Sequence, residues 1–226
     1  GILLDKYAQG IFNAGISKIN ISLDSLDEQK YFQITGGGNI HDVFRGIAAA
    51  EKAGFDPIKI NTVVLKGFND DEVLNFVNLA MSKPFQIRFI EIMPISEVNI
   101  TQPQEFLAAD QMLNIIGKHF KLEPINGKKH KTDGPARIFK VKGGRGEIGF
   151  INSVSNHFCA TCNRMRLTAD GKLRVCLLKE VEVDLKEALN RNCSDDELAD
   201  LIRRAILLKP AKHDMDCTER HLKKCH

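Results

Sequence analysis

Three cysteines are the residues in this 226-residue sequence best suited to chemistry. Cys159 and Cys162 are separated by two residues, and Cys176 follows after thirteen more. The spacing puts two thiols on one tight turn. It predicts the third on the partner strand of a hairpin, because Ala169-Asp170-Gly171-Lys172 joins two short β-rich runs, Met165 to Thr168 and Leu173 to Leu177. Three convergent thiolates hold a soft metal centre. A structural zinc would need a fourth ligand, for which His157 and Cys193 are candidates. A 4Fe-4S cluster would leave one iron without a protein ligand and open to a substrate atom. Spacing alone leaves both readings open.

Arg164 and Arg166 follow the second cysteine at once. Two guanidiniums beside an open metal position would suit a phosphorylated substrate, since their planar forks match phosphate oxygens. The plainer alternative is solvent-facing charge on a hairpin strand. All six cysteines lie after residue 158, which argues against a disulfide framework for the whole chain. Cys193, Cys217 and Cys225 have no comparable spacing and read as ordinary thiols.

The elements that must position these residues begin with alternating strands and helices. Runs 18–23, 58–65 and 86–92 read as strands, with helical spacing of apolar residues over 42–53 and 70–81. Gly54 is placed as a helix stop, and Asn69 with Glu72 as a cap pair. Strand, helix, strand at this spacing predicts βαβ units and a parallel sheet. The strands interleave polar residues where buried parallel strands are normally apolar throughout. Asn20, Ser22 and Asp24 share one face of the first, and Lys59 and Asn61 one face of the second. Such faces line a cleft that holds something charged, or else belong to edge strands with a solvated side. The repeat ends after Met93, with a boundary expected near residue 100. Beyond it a helix over 111–120, a hairpin of Arg137 to Val141 with Glu147 to Val154, and a helix over 195–208 stopped by Lys209-Pro210 are expected.

Composition narrows the function classes. A formal net charge of +3 is too small to argue for a polyanion-binding surface, so nucleic acid is not an expected partner. The dense basic run Lys128-Lys129-His130-Lys131 reads as a solvated turn. No stretch reaches the roughly 18 apolar residues of a membrane span, and no signal-peptide pattern opens the chain. A cytoplasmic protein with no membrane partner is the expectation. Gly1 in place of Met suggests a fragment.

Several stretches resemble one family, that of molybdenum cofactor biosynthesis protein A, the radical S-adenosylmethionine GTP 3′,8-cyclases. They are Lys18-Ile19-Asn20-Ile21-Ser22-Leu23-Asp24, Lys59-Ile60-Asn61 with Lys66-Gly67-Phe68-Asn69-Asp70, and Arg88-Phe89-Ile90-Glu91-Ile92-Met93. Cys159-Ala160-Thr161-Cys162-Asn163-Arg164-Met165-Arg166-Leu167 and Asp170-Gly171-Lys172 continue the match in the family's order. The resemblance implies conversion of GTP to (8S)-3′,8-cyclo-7,8-dihydroguanosine 5′-triphosphate by S-adenosylmethionine radical chemistry. It implies a 4Fe-4S cluster on Cys159, Cys162 and Cys176, S-adenosylmethionine contacts at Ser22 and Met93, and GTP contacts at Lys59, Arg88, Arg164, Met165 and Arg166. GTP, a downstream enzyme acting on the molybdopterin precursor and a second copy in a homodimer are the partners it implies.

Two departures accompany the resemblance. The family's Cys-x3-Cys-x2-Cys motif, which ligates a second, radical-generating 4Fe-4S cluster, is expected upstream of Gly1, so these residues alone are expected to make no radical. The family usually ends in Gly-Gly, whereas this sequence ends His221-Leu222-Lys223-Lys224-Cys225-His226. The expected fold is α/β: part of an incomplete βα barrel of radical SAM type over 1–100, then a smaller mixed α+β region over 101–226 carrying the iron-sulfur site. The rival readings are a non-catalytic nucleotide-binding module and a zinc-stabilised structural protein.

Overall fold

A computed structural model describes residues 1–93, 106–125 and 134–212. The basic run at 128–131, the expected boundary near residue 100, Cys217, Cys225 and the C-terminal run lie outside the described residues. The chain forms two compact units, 1–156 and 157–226.

The first unit follows the order α1 (Leu4–Asn13), β1 (Ile19–Ser22), α2 (Glu28–Thr35), α3 (Ile40–Ala53), β2 (Ile58–Val64), α4 (Val73–Ser82), β3 (Phe85–Glu91), α5 (Ala109–Gly117), β4 (Leu122–Pro124), β5 (Arg137–Val141) and β6 (Glu147–Ile151). Its six strands make one open sheet in the order β1-β2-β3-β6-β5-β4, and among the described residues no barrel closes. β1, β2, β3 and β6 run parallel, and β5 and β4 are antiparallel additions. The unit therefore extends past residue 100, because the β5–β6 hairpin joins the same sheet through the β3–β6 ladder.

Side-chain alternation separates the sheet's two faces. Ile21, Ile58, Ile60, Phe85, Ile87, Phe89, Ile148 and Phe150 form the apolar face and are almost wholly buried. Phe89 sits at its centre, edge-on to Phe76 of α4 and tilted against Phe150. Gly54 ends α3 at φ 97°, a left-handed conformation that a side chain would oppose.

Asn69 and Glu72 depart from the expected cap pair. A 3-10 turn, Asp70–Glu72, leads into α4, and neither side chain caps it. Asn69 instead accepts from the Leu65 amide and donates to the carbonyls of Asp24 and Val63. Glu72 accepts from the Ser25 hydroxyl and the amides of Leu26 and Asp27. Buried backbone donors and acceptors at the strand ends claim both side chains, and burying those groups unpaired would cost more than an uncapped helix.

The second unit contains β7 (Arg166–Leu167), β8 (Lys172–Arg174), β9 (Glu182–Asp184), α6 (Leu185–Asn190) and α7 (Asp195–Leu207). The strands form an antiparallel sheet in the order β7-β8-β9. α7 opens with a capping box, Ser194 accepting from the Glu197 amide and Glu197 from the Ser194 amide. Its inner face sets Leu198, Leu201, Ile202 and Ala205 against Leu173, Val175 and Leu185.

Candidate functional site

Strand register lines up the polar residues of the first unit into two rows across four strands. Asn20, Lys59, Gln86 and Glu147 are successive cross-strand neighbours, and Ser22, Asn61, Arg88 and Gly149 form the next row. Lys59, Gln86 and Arg88 are at most 6% exposed, which a solvated edge strand would not give. The buried groups order one another. Gln86 donates to Glu147 at 2.7 Å, and its carbonyl accepts from the Arg88 Nε at 2.6 Å. Gly149 leaves room for this arrangement, since a Cβ there would lie 2.9 Å from Ile138 Cδ1 and 3.2 Å from Arg88 Cγ.

The ends of β1, β2 and β3 are held by acidic side chains that accept backbone N–H groups. In an open α/β sheet this carboxyl edge is where ligands bind. Asp24 lies beyond the end of β1 and accepts from the Val63 amide at 2.8 Å, while burial pushes its carboxyl above the ordinary value. Glu91, 1% exposed, accepts from the amides of Ala109, Val154 and Ser155 and from the Ser155 hydroxyl. It thereby ties the end of β3 to the start of α5 and to the segment after β6. Ser22 closes β1 and is exposed. β3 ends at Glu91, so Met93 lies past the strand, half-buried, and alternation no longer assigns it to the face opposite Arg88.

The cysteines lie in the second unit. Cys159 and Cys162 stand at the start and just past the end of one 3-10 turn, closed by the Cys162 amide on the Cys159 carbonyl at 3.1 Å. Cys176 follows β8 by two residues, and the pair Arg166↔Arg174 sets the register of β7 against β8. All three thiols are free and half-buried. Three unpaired soft donors on adjacent segments fit an iron-sulfur centre by their chemistry. Among the described residues, no group of three or more His, Cys, Asp or Glu is drawn close enough to hold a metal ion.

Arg164 is exposed, with its guanidinium 5.3 Å from the centre of the Phe158 ring. Met165 packs against the small core of the unit. Arg166 faces Arg174 across the ladder, and Glu182 neutralises Arg174 at 2.8 Å. The exposed Arg166 is thus relieved of like-charge repulsion and left with no ion pair among the described residues.

Sequence reasoning gave no role to Glu91, and it gave Asn69 and Glu72 the wrong one. Glu91 carried a signal: it continues the period-two series Phe85, Ile87, Phe89 and puts an acid where an apolar residue is due.

Two protein families match successive parts of the chain. Residues 1–80 match the Radical SAM superfamily, and residues 85–215 match Molybdenum Cofactor Synthesis C. The chain is 46% identical over 216 residues to the GTP 3′,8-cyclase of Moorella thermoacetica, covering 96% of this chain and 66% of that protein. It is 46% identical over 211 residues to the GTP 3′,8-cyclase of Thermodesulfovibrio yellowstonii, covering 93% and 64%, and 43% identical over 214 residues to that of Petrotoga mobilis, covering 95% and 65%. The chain therefore spans slightly less than two thirds of the length of these relatives. No helix among the described residues is long and apolar enough to cross a membrane. With more than half of its length matched by that family's profile, the chain belongs to the Molybdenum Cofactor Synthesis C family.

Proposed function

We propose that this chain is the substrate-binding part of a GTP 3′,8-cyclase that converts GTP to (8S)-3′,8-cyclo-7,8-dihydroguanosine 5′-triphosphate. The observation that carries the reading is the set of three free, half-buried thiols on adjacent segments of the second unit, in a chain 46% identical to a GTP 3′,8-cyclase. In this reading Cys159, Cys162 and Cys176 hold a 4Fe-4S cluster. That cluster supplies an iron with no protein ligand, available to the guanine end of GTP. S-adenosylmethionine and the second 4Fe-4S cluster complete the cofactor set, and the 226 residues contain no cysteine before Cys159 to ligate that second cluster.

The chain's own residues bind and orient. Ser22 and Met93, at the ends of β1 and β3, are assigned to S-adenosylmethionine. Lys59 and Arg88 lie on the buried polar face and are assigned to GTP, where a fixed cation needs no reorganisation on meeting an anion. Arg164, Met165 and Arg166 are also assigned to GTP: Arg166 by its uncommitted guanidinium, Arg164 by a side chain braced on Phe158. A downstream enzyme that takes the cyclised nucleotide and a homodimer are partners this reading includes.

Calorimetry on the anaerobically reconstituted chain tests it. GTP should bind more tightly than ATP, and Arg166→Ala should weaken GTP by about tenfold, the loss of one partly solvated charge-assisted contact, with unchanged iron content. Equal binding of ATP and GTP, with Arg166→Ala altering neither, would remove the substrate assignment.

A further inference from the structure

Lys209 was expected only to share a helix stop with Pro210. Its amide closes the last turn of α7 on the Ile206 carbonyl at 3.1 Å, and it stands four residues after the fully buried Ala205, so it continues the helix face that packs on the sheet. From there its ammonium donates to two carbonyls from different segments, Arg164 O and Val175 O, each at 2.8 Å. Those oxygens are therefore no more than twice that distance apart. Arg164 lies two residues after Cys162, and Val175 immediately precedes Cys176. Neither carbonyl belongs to the β7–β8 ladder, which spans only the pairs Arg166↔Arg174 and Leu167↔Leu173. Past that short ladder, the ammonium is a clamp between the two segments that carry thiols.

We propose that Lys209 is a positioning residue for the three-thiol centre, fixing the distance between the Cys159–Cys162 turn and Cys176. The proposal rests on the reading of these cysteines as cluster ligands. An ammonium suits the task because it carries three donors and no acceptor, so it can satisfy two carbonyls at once. A methionine of similar length fills the space and offers neither bond. An arginine keeps the charge and can span two carbonyl oxygens. By holding the Arg164 carbonyl, the same clamp fixes the backbone from which the Arg164 side chain reaches the Phe158 ring. Partners that orient metal ligands without touching the metal commonly matter almost as much as the ligands.

The test uses the whole chain, reconstituted anaerobically with iron and sulfide, as the parent and as Lys209→Met, Lys209→Arg and Leu201→Ala. Leu201→Ala loosens the packing of α7 without touching either carbonyl. Lys209→Met should lose iron to a ferrous chelator about 10- to 100-fold faster than the parent, which is the affinity loss typical of removing a residue that supports metal ligands, expressed in the release rate. Its reduced cluster should give a broadened, heterogeneous EPR signal. Lys209→Arg should recover most of the retention and the single signal, and Leu201→Ala should lower the unfolding midpoint while keeping the parent's chelation rate. If Lys209→Met holds iron as firmly as the parent, or Leu201→Ala releases it as fast as Lys209→Met, the positioning role is overturned. If the parent itself takes up no iron, the reading of the cysteines fails first and the role of Lys209 falls with it.

Discussion

Replacing Glu91 with Gln tests how the carboxyl edge of the sheet is held. One oxygen of the carboxylate accepts from the Ala109 amide at 2.8 Å and from the Ser155 hydroxyl, and the other from the amides of Val154 and Ser155, both at 2.9 Å. The best orientation for a Gln places its carbonyl toward the last two amides. The Ser155 hydroxyl can then turn and accept from the new NH2, which leaves the Ala109 N–H facing a donor. One buried donor left unsatisfied costs about 1–3 kcal/mol, and weakening two charge-assisted bonds to neutral ones costs about 1 kcal/mol each. Relief from burying a charge offsets part of that, for a net loss of about 2–4 kcal/mol. Both tyrosines, Tyr7 and Tyr31, lie in the first unit, and the chain has no tryptophan, so tyrosine emission during a urea titration reports on that unit alone. With a slope of about 2 kcal/mol per molar urea, the midpoint should fall by about 1–2 M. An unchanged midpoint would mean that Glu91 does not anchor the end of β3 to the start of α5 and the segment after β6.

Asp24→Asn preserves the acceptor for the Val63 amide and removes the charge. Because burial raises the native carboxyl above 3.8, the native state binds its proton more tightly than the unfolded chain, and stability falls as pH rises from that value through the raised native one. The variant should lack that fall, so its advantage over the parent should grow with pH across the window; parallel stability profiles from acid unfolding would refute the assignment. Gly149→Ala should cost about 1–3 kcal/mol from overpacking against Ile138 and Arg88, measured by the same urea titration, and should weaken GTP binding; a variant as stable as the parent would show that the space beside Arg88 is not filled as described.

The sequence made the parallel strands legible because period-two alternation and β-branched runs are local properties. The rows that define the polar face were only half legible. Asn20, Ser22, Lys59 and Asn61 announce themselves by alternation, but their union with Gln86, Arg88 and Glu147 depends on strand order and register, which are tertiary. That β6 pairs with β3 and extends the first unit past residue 100 follows from burying Ile148 and Phe150 against Phe89, and no local pattern encodes it. Asn69 and Glu72 misled because cap-like spacing is local, whereas the buried backbone groups that claim them come from residues far away in sequence. The Cys-x2-Cys turn was legible from spacing. The clamp from Lys209 was not, since it spans 45 residues to Arg164 and 34 to Val175.

The central claim is that the three cysteines form one iron-sulfur centre, and the iron and acid-labile sulfide content of the anaerobically reconstituted chain tests it most directly. The parent should bind about four iron and four sulfide per chain, the composition of a 4Fe-4S centre. Single Ala substitutions at Cys159, Cys162 or Cys176 should each abolish or sharply reduce that uptake, while Cys193→Ala leaves it intact. A colourless parent holding one tightly bound zinc, or iron content indifferent to Cys162→Ala and Cys176→Ala, would contradict the account.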